Sequence, residues 1–88
     1  MARYDVMMLE ESAFAGTAGG EIFVRLGLMY STGGAIAEDR VAAHKWFNIA
    51  ASKGCRDGIE LRREIAREMT EAEIAAAQRA AREWLTTH

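Results

Sequence analysis

Two short stretches of this chain place large and small apolar residues at the spacing of an α-helix. One spans residues 23–30 and the other spans residues 43–51. Their members are Phe23, Leu26, Gly27 and Tyr30 in the first, and Ala43, Trp46, Phe47, Ala50 and Ala51 in the second. Because residues three or four apart share one face of a helix, each stretch predicts a helix with an apolar stripe. Small residues beside aromatic ones indicate that the two helices pack closely as a hairpin.

The segment that joins these helices carries residues that end one helix and begin the next. Gly33 follows the first predicted helix, at residues 21–31, and glycine is common just after a helix C-terminus. Asp39 lies where an N-cap belongs, because its carboxylate can accept hydrogen bonds from free backbone N–H groups. The second helix is predicted at about residues 40–53, and Gly54 ends it.

Gly27 stands in the middle of the first predicted helix, where glycine costs about 1 kcal/mol relative to alanine. A fold tolerates this cost if the bare backbone lets a partner helix come close. We expect Ala43 or Ala50 to make this approach.

The C-terminal third of the chain predicts two further helices. One opens at Asp57 or Gly58, and its apolar members are Ile59, Leu61, Ile65, Ala66 and Met69. Thr70 and Glu73 have the spacing of a capping box, so the last helix begins there and ends near Leu85. Its expected buried residues are Ile74, Ala77, Ala81, Trp84 and Leu85. A helix at residues 4–15 and a glycine-rich break at 16–20 are predicted ahead of the motif.

An aromatic residue, Leu-Gly and Tyr, followed by Ala-x-x-x-Phe, is the signature of the tetratricopeptide repeat. With its longer loop, the pattern resembles the related Sel-one-like repeat. The matching residues are Phe23, Leu26, Gly27, Tyr30, Gly33, Ile36, Asp39, Ala43, Trp46, Phe47, Ala50, Ala51 and Gly54. Gly58 stands where the family tends to have alanine.

The resemblance covers residues 21–58 and implies an all-α fold. We expect four to five helices arranged as antiparallel hairpins, in the manner of an α/α superhelix. Residues 1–20 would precede the repeat and residues 59–88 would form a capping helical pair. A chain of 88 residues is enough for these parts to share one domain.

The resemblance further implies a non-enzymatic adaptor that binds another protein or peptide. We call the matching residues given above the packing motif. In such repeats the binding surface lies on the first helix, on residues outside this motif. Those residues here are Glu21, Val24, Arg25, Leu28 and Ser31. Val24 and Leu28 form an exposed apolar pair unless the helix predicted at 4–15 covers them. Because a single repeat offers a shallow surface, homo-oligomerisation or docking onto a larger complex is also expected.

Charges in the C-terminal half leave one alternative open. Arg56, Arg62, Arg63 and Arg67 could bind an acidic ligand or nucleic acid, which would make this a small regulatory protein. However, glutamates interleave with these arginines at spacings of three to four, and this favours a solvated, ion-paired helix face. The net charge of -2 also disfavours nucleic acid as a partner.

Asp39, His44 and Cys55 are the residues that a catalytic site could use. We interpret Asp39 as a helix cap, His44 as a polar-face residue beside Lys45, and Cys55 as a small turn residue. Replacing His44 is therefore expected to cost little stability. No catalytic residue, metal ligand or cofactor is predicted.

Trp46 and Phe47 could be read as a platform for a ligand, but their place in the packing motif predicts that both belong to the core. The single cysteine is typical of a reducing compartment. No stretch approaches the roughly 20 apolar residues of a membrane span. We therefore expect a cytoplasmic protein without a membrane partner.

Overall fold

The computed structural model describes residues 20–88, and this part of the chain is entirely helical apart from its connections. The four helices in it are α1 (Glu21–Thr32), α2 (Arg40–Ser52), α3 (Arg56–Ala66) and α4 (Glu71–Thr87). The predicted all-α fold is therefore confirmed. The helix predicted at 4–15 and most of the glycine-rich break lie outside the described residues.

The ends of the helices follow the residues that predicted them. Gly33 has a φ of 78° and its N–H donates to the carbonyl of Met29, which ends α1. Asp39 Oδ1 accepts a hydrogen bond from the N–H of Ala42 at 3.0 Å, which begins α2. The backbone N–H of Asp39 also donates to the carbonyl of Tyr30 at 2.9 Å. The loop is thus attached to the end of α1 at the same residue that caps α2.

Helix α4 begins with the predicted capping box. The N–H of Glu73 donates to Thr70 Oγ1 at 3.1 Å, and the N–H of Thr70 donates to Glu73 Oε1 at 2.9 Å. The far end of α4 differs from the prediction, because the helix continues two residues past Leu85. Leu85 was predicted to be buried, which is wrong: 37% of it is exposed. The buried residues of α4 are Ala77 and Ala81 in its middle, whereas its last turn lies beyond the core and is exposed.

Helix α2 lies at the centre of the described fold. It packs against α1 and α3, the helices before and after it, in hairpin-like pairs. Helix α4 also packs against α2, whereas α3 and α4 contact each other little. Each of the other three helices therefore depends on α2 for its packing.

The core forms two clusters around α2. The larger contains Ile22, Phe23, Leu26, Trp46, Ile49, Ala50 and Ala81, and the smaller contains Ala43, Phe47 and Ile65. Trp46 and Phe47 are each only 1% exposed, so the prediction that they belong to the core is confirmed. The Trp46 ring stacks on Phe23 at 6.0 Å, and Trp84 meets both rings edge-on. Aromatic rings from three helices thus pack together.

Two glycines mark the closest approaches to α2. A Cβ at Gly27 would overlap the ring of Phe47, so the expectation that Ala43 or Ala50 fills this place is wrong. A Cβ at Gly58 would lie 2.8 Å from the carbonyl oxygen of Phe47 and 2.9 Å from the Cβ of Ala50. The glycines of α1 and α3 therefore both meet α2 around Phe47.

Candidate protein-binding surface

Helix α1 has one face fixed in the core and one face directed outward. Phe23 and Leu26 are buried on the inner face and belong to the larger core cluster. Glu21 and Arg25 are exposed, and Leu28 is 39% exposed. The packing motif thus orients the helix so that the predicted binding residues between its members lie at or near the surface.

The two remaining residues of the predicted surface are less exposed. Val24 is half-buried and packs against the larger core cluster, so it contributes only part of its side chain to the surface. Ser31 is half-buried, and its Oγ donates to the carbonyl of Leu28 at 3.1 Å. Leu28 is consequently the main apolar group of this face, and Val24 extends it by one helical turn.

Leu85 on α4 provides a natural comparison for Leu28. Within residues 20–88, these two are the large hydrophobic residues that are exposed: Leu28 is 39% exposed and Leu85 is 37% exposed. They have the same side chain and nearly the same exposure but lie on different helices. A substitution at Leu85 can therefore serve as a control for the same substitution at Leu28.

A groove adjoins the outward face of α1 at Ser31. It has a volume of about 210 Å³ and lies between the end of α1, α2 and α3. Its apolar lining consists of Phe47, Leu61 and Ile65. The sequence analysis missed this groove, because its walls come from three segments that only the folded chain brings together.

His44 differs from its predicted place. It was expected on the polar face, which is wrong: the residue is 2% exposed, and its Nδ1 is buried without a hydrogen-bond partner. Burial lowers the pKa of His44, and the positive charge of Arg62 lowers it further. His44 is therefore a neutral residue packed inside the fold near neutral pH.

The other two residues of the possible catalytic group have separate structural positions. Asp39 caps α2, and Cys55 is half-buried at the start of α3. Among the described residues, no hydrogen bond connects His44 to either of them. In the same part of the chain, no three His, Cys, Asp or Glu residues are grouped so that they could hold a metal ion.

The arginines of α3 are only partly as predicted. Arg56, Arg63 and Arg67 are exposed, as a solvated face requires. Arg62 instead reaches α2, where it donates to Asn48 Oδ1 at 2.6 Å. The ion pairs predicted between the arginines and glutamates of α3 are absent. Within the described part of the chain, the ion pair that forms lies elsewhere, between Arg40 and Glu38 at 3.5 Å. Arg62 thus has a structural contact, while the other three arginines are solvated.

None of the helices between residues 20 and 88 combines the length and apolar character needed to cross a bilayer. Comparison of the chain with protein-family models, curated proteins and solved structures found no match. Membership of the Sel-one-like family therefore stays a prediction that rests on the sequence pattern.

Proposed function

We propose that this domain is a non-enzymatic interaction module that recruits another protein through the outward face of α1. The observation that carries the proposal is the exposure of Leu28, which is 39% exposed although the opposite face of the same helix is fixed in the core. A rigid helix with an exposed apolar residue suits docking of a partner helix or peptide. The resemblance to Sel-one-like repeats supports the same function.

The residues around Leu28 give this surface the character of a small interface. Val24 adds apolar area one turn earlier, and the charged side chains of Glu21 and Arg25 border it. Protein interfaces commonly combine an apolar centre with a polar rim. We expect the partner to place an apolar side chain against Leu28, with polar groups facing Glu21 and Arg25.

The half-buried Cys55 supports a reducing, cytoplasmic setting for this module, since it is the only cysteine of the chain and has no internal partner.

Capture of proteins from the native cell extract on three immobilised proteins tests the function. These are the wild type, Leu28→Asp and the matched control Leu85→Asp. We expect a discrete protein to remain bound at high salt on the wild type and on Leu85→Asp, and to be lost on Leu28→Asp. Equal capture by all three proteins would contradict a binding role for α1. Circular dichroism of each variant establishes that the helical fold is retained.

Salt separates the adaptor from the alternative of an acidic ligand or nucleic acid bound by α3. Binding dominated by Leu28 should change little with ionic strength, whereas phosphate contacts weaken steeply as salt rises. Light scattering of the wild type and of Leu28→Asp tests self-association in the same way. A dimer that Leu28→Asp dissociates and Leu85→Asp does not would identify a second copy of the chain as the partner.

A further inference from the structure

The groove beside α1 has an apolar floor and a charged rim. Of the floor residues, Phe47 and Ile65 are almost fully buried, at 1% and 8% exposure, so the half-buried Leu61 supplies most of the apolar surface. The carboxylates of Glu38, Glu64 and Glu68 line the rim together with Arg40. Its volume of about 210 Å³ is below the roughly 300–1,000 Å³ of most small-molecule sites. The groove is therefore better matched to one long side chain than to a cofactor.

The rim carries more negative than positive charge. Three carboxylates face one guanidinium, and Arg40 already forms an ion pair with Glu38 at 3.5 Å. Within the described part of the chain, the side chains of Glu64 and Glu68 take part in no hydrogen bond or ion pair. Glu64 and Glu68 thus border Leu61 without an ion-pair partner among the described residues. An occupant complementary to this groove has an apolar stem and a positively charged end.

We infer that the groove receives an arginine side chain from a basic segment of the partner protein. The methylene groups of the arginine lie on Leu61, and its guanidinium donates to the carboxylates of Glu64 and Glu68. Arginine fits better than lysine, because its planar group presents several donors that match carboxylate oxygens in pairs.

This inference rests on the proposed function and adds the chemistry of the partner to it. Ser31 belongs both to the predicted binding residues of α1 and to the edge of the groove. A peptide that crosses α1 at Leu28 can therefore continue into the groove. Its apolar residue would contact Leu28 and its arginine would lie between Glu64 and Glu68.

The test is a titration of the 88-residue chain with a fluorescein-labelled peptide, acetyl-Gly-Ser-Arg-Arg-Ser-Gly, followed by fluorescence anisotropy. Wild type is compared with the double variant Glu64→Gln/Glu68→Gln. The control is Glu60→Gln/Glu83→Gln, which removes two exposed carboxylates outside the groove and changes the net charge equally. We expect the groove variant to bind about tenfold more weakly, since it loses two charge-assisted hydrogen bonds. The control should bind within about twofold of wild type, because its carboxylates lie outside the groove and only a screened, long-range attraction is lost.

Nuclear magnetic resonance shows where the peptide binds. The methyl signals of Leu61 and Ile65 should shift on titration with wild type and not with the groove variant. Equal weakening in both double variants would show general charge attraction and overturn the inference. Absence of binding to the wild type would overturn it as well. A captured partner that is lost on Leu28→Asp but retained by Glu64→Gln/Glu68→Gln would exclude the groove while leaving the proposed function intact.

Discussion

The ring of Phe47 lies directly against the backbone of Gly27, so that a Cβ on residue 27 would overlap ring atoms Cδ1 and Cε1. Phe47 is 1% exposed, so an added methyl group would have to displace a buried ring. The contact therefore requires glycine at a mid-helix position where its intrinsic helix propensity is poor. It also fixes how closely α1 approaches α2.

Gly27→Ala should destabilise the fold although alanine favours a helix. Alanine gains about 1 kcal/mol in propensity. Overpacking a filled core costs about 1–3 kcal/mol, and an overlap with a buried ring belongs at the upper end of that range. We expect a net loss of about 2 kcal/mol in the free energy of unfolding, measured by urea denaturation. A variant as stable as the wild type would contradict the close contact.

The double variant Gly27→Ala/Phe47→Leu tests whether Phe47 is the cause. Leucine lacks the ring that the alanine methyl would meet, so the damage from Gly27→Ala should be smaller in that background. The expected interaction energy between the two changes is about 1 kcal/mol, within the range measured for residues in contact. If the stability losses of Gly27→Ala and Phe47→Leu simply add in the double variant, the damage from Gly27→Ala does not come from contact with the Phe47 ring.

Gly58→Ala should also be destabilising, for a reason that lies in the backbone. The added Cβ would lie 2.8 Å from the carbonyl oxygen of Phe47, and a backbone atom in α2 cannot rotate aside as a side chain can. Overpacking costs about 1–3 kcal/mol, and alanine regains up to about 1 kcal/mol in helix propensity. We expect a net loss of about 1–2 kcal/mol in the free energy of unfolding, measured by urea denaturation. A neutral or stabilising effect would show that α3 packs farther from α2 than the structure has it.

The sequence predicted the helices well because their ends depend on local chemistry. Asp39, Gly33 and the pair Thr70 and Glu73 each act within a few residues of their own position, and the structure confirms all of them. The side-chain environment of a residue depends instead on which helices meet there. Helical spacing could not show that Phe47 rather than an alanine meets Gly27.

The binding surface was only partly predictable for the same reason. The packing motif fixed the inner face of α1, so the outward position of Arg25 and Leu28 could be inferred by elimination. The partial burial of Val24 and the groove at Ser31 depend on neighbouring helices. Neither feature has a signal in the spacing of residues along one helix.

Trp46→Ala should nearly unfold the domain, whereas Trp84→Ala should be milder. Truncating a buried tryptophan costs about 3–5 kcal/mol, and a chain of this length has a total stability of about 4–13 kcal/mol. Trp84 is half-buried and contacts the same aromatic group from its edge, so less apolar area is lost. Thermal melts followed by circular dichroism compare the two. A larger effect of Trp84→Ala would mean that α4, and not α2, holds the core together.

Stability should fall as the pH is lowered from 7 to 5 because of His44. Burial and Arg62 lower the pKa of His44 in the folded protein below its ordinary value of 6.5. The unfolded chain therefore binds a proton first as the pH falls through 6.5, and stability decreases until the pH passes below the pKa of the folded state. The slope of the unfolding free energy approaches at most about 1.4 kcal/mol per pH unit. Urea denaturation at pH 7, 6 and 5 measures this decrease.

His44→Gln supplies the control for this pH dependence, since glutamine is polar and does not titrate. We expect the variant to lose some stability at pH 7, because its side chain must pack in the space of a buried ring. Its stability should nevertheless change much less between pH 7 and 5 than that of the wild type. The same slope in both proteins would assign the pH dependence to groups other than His44.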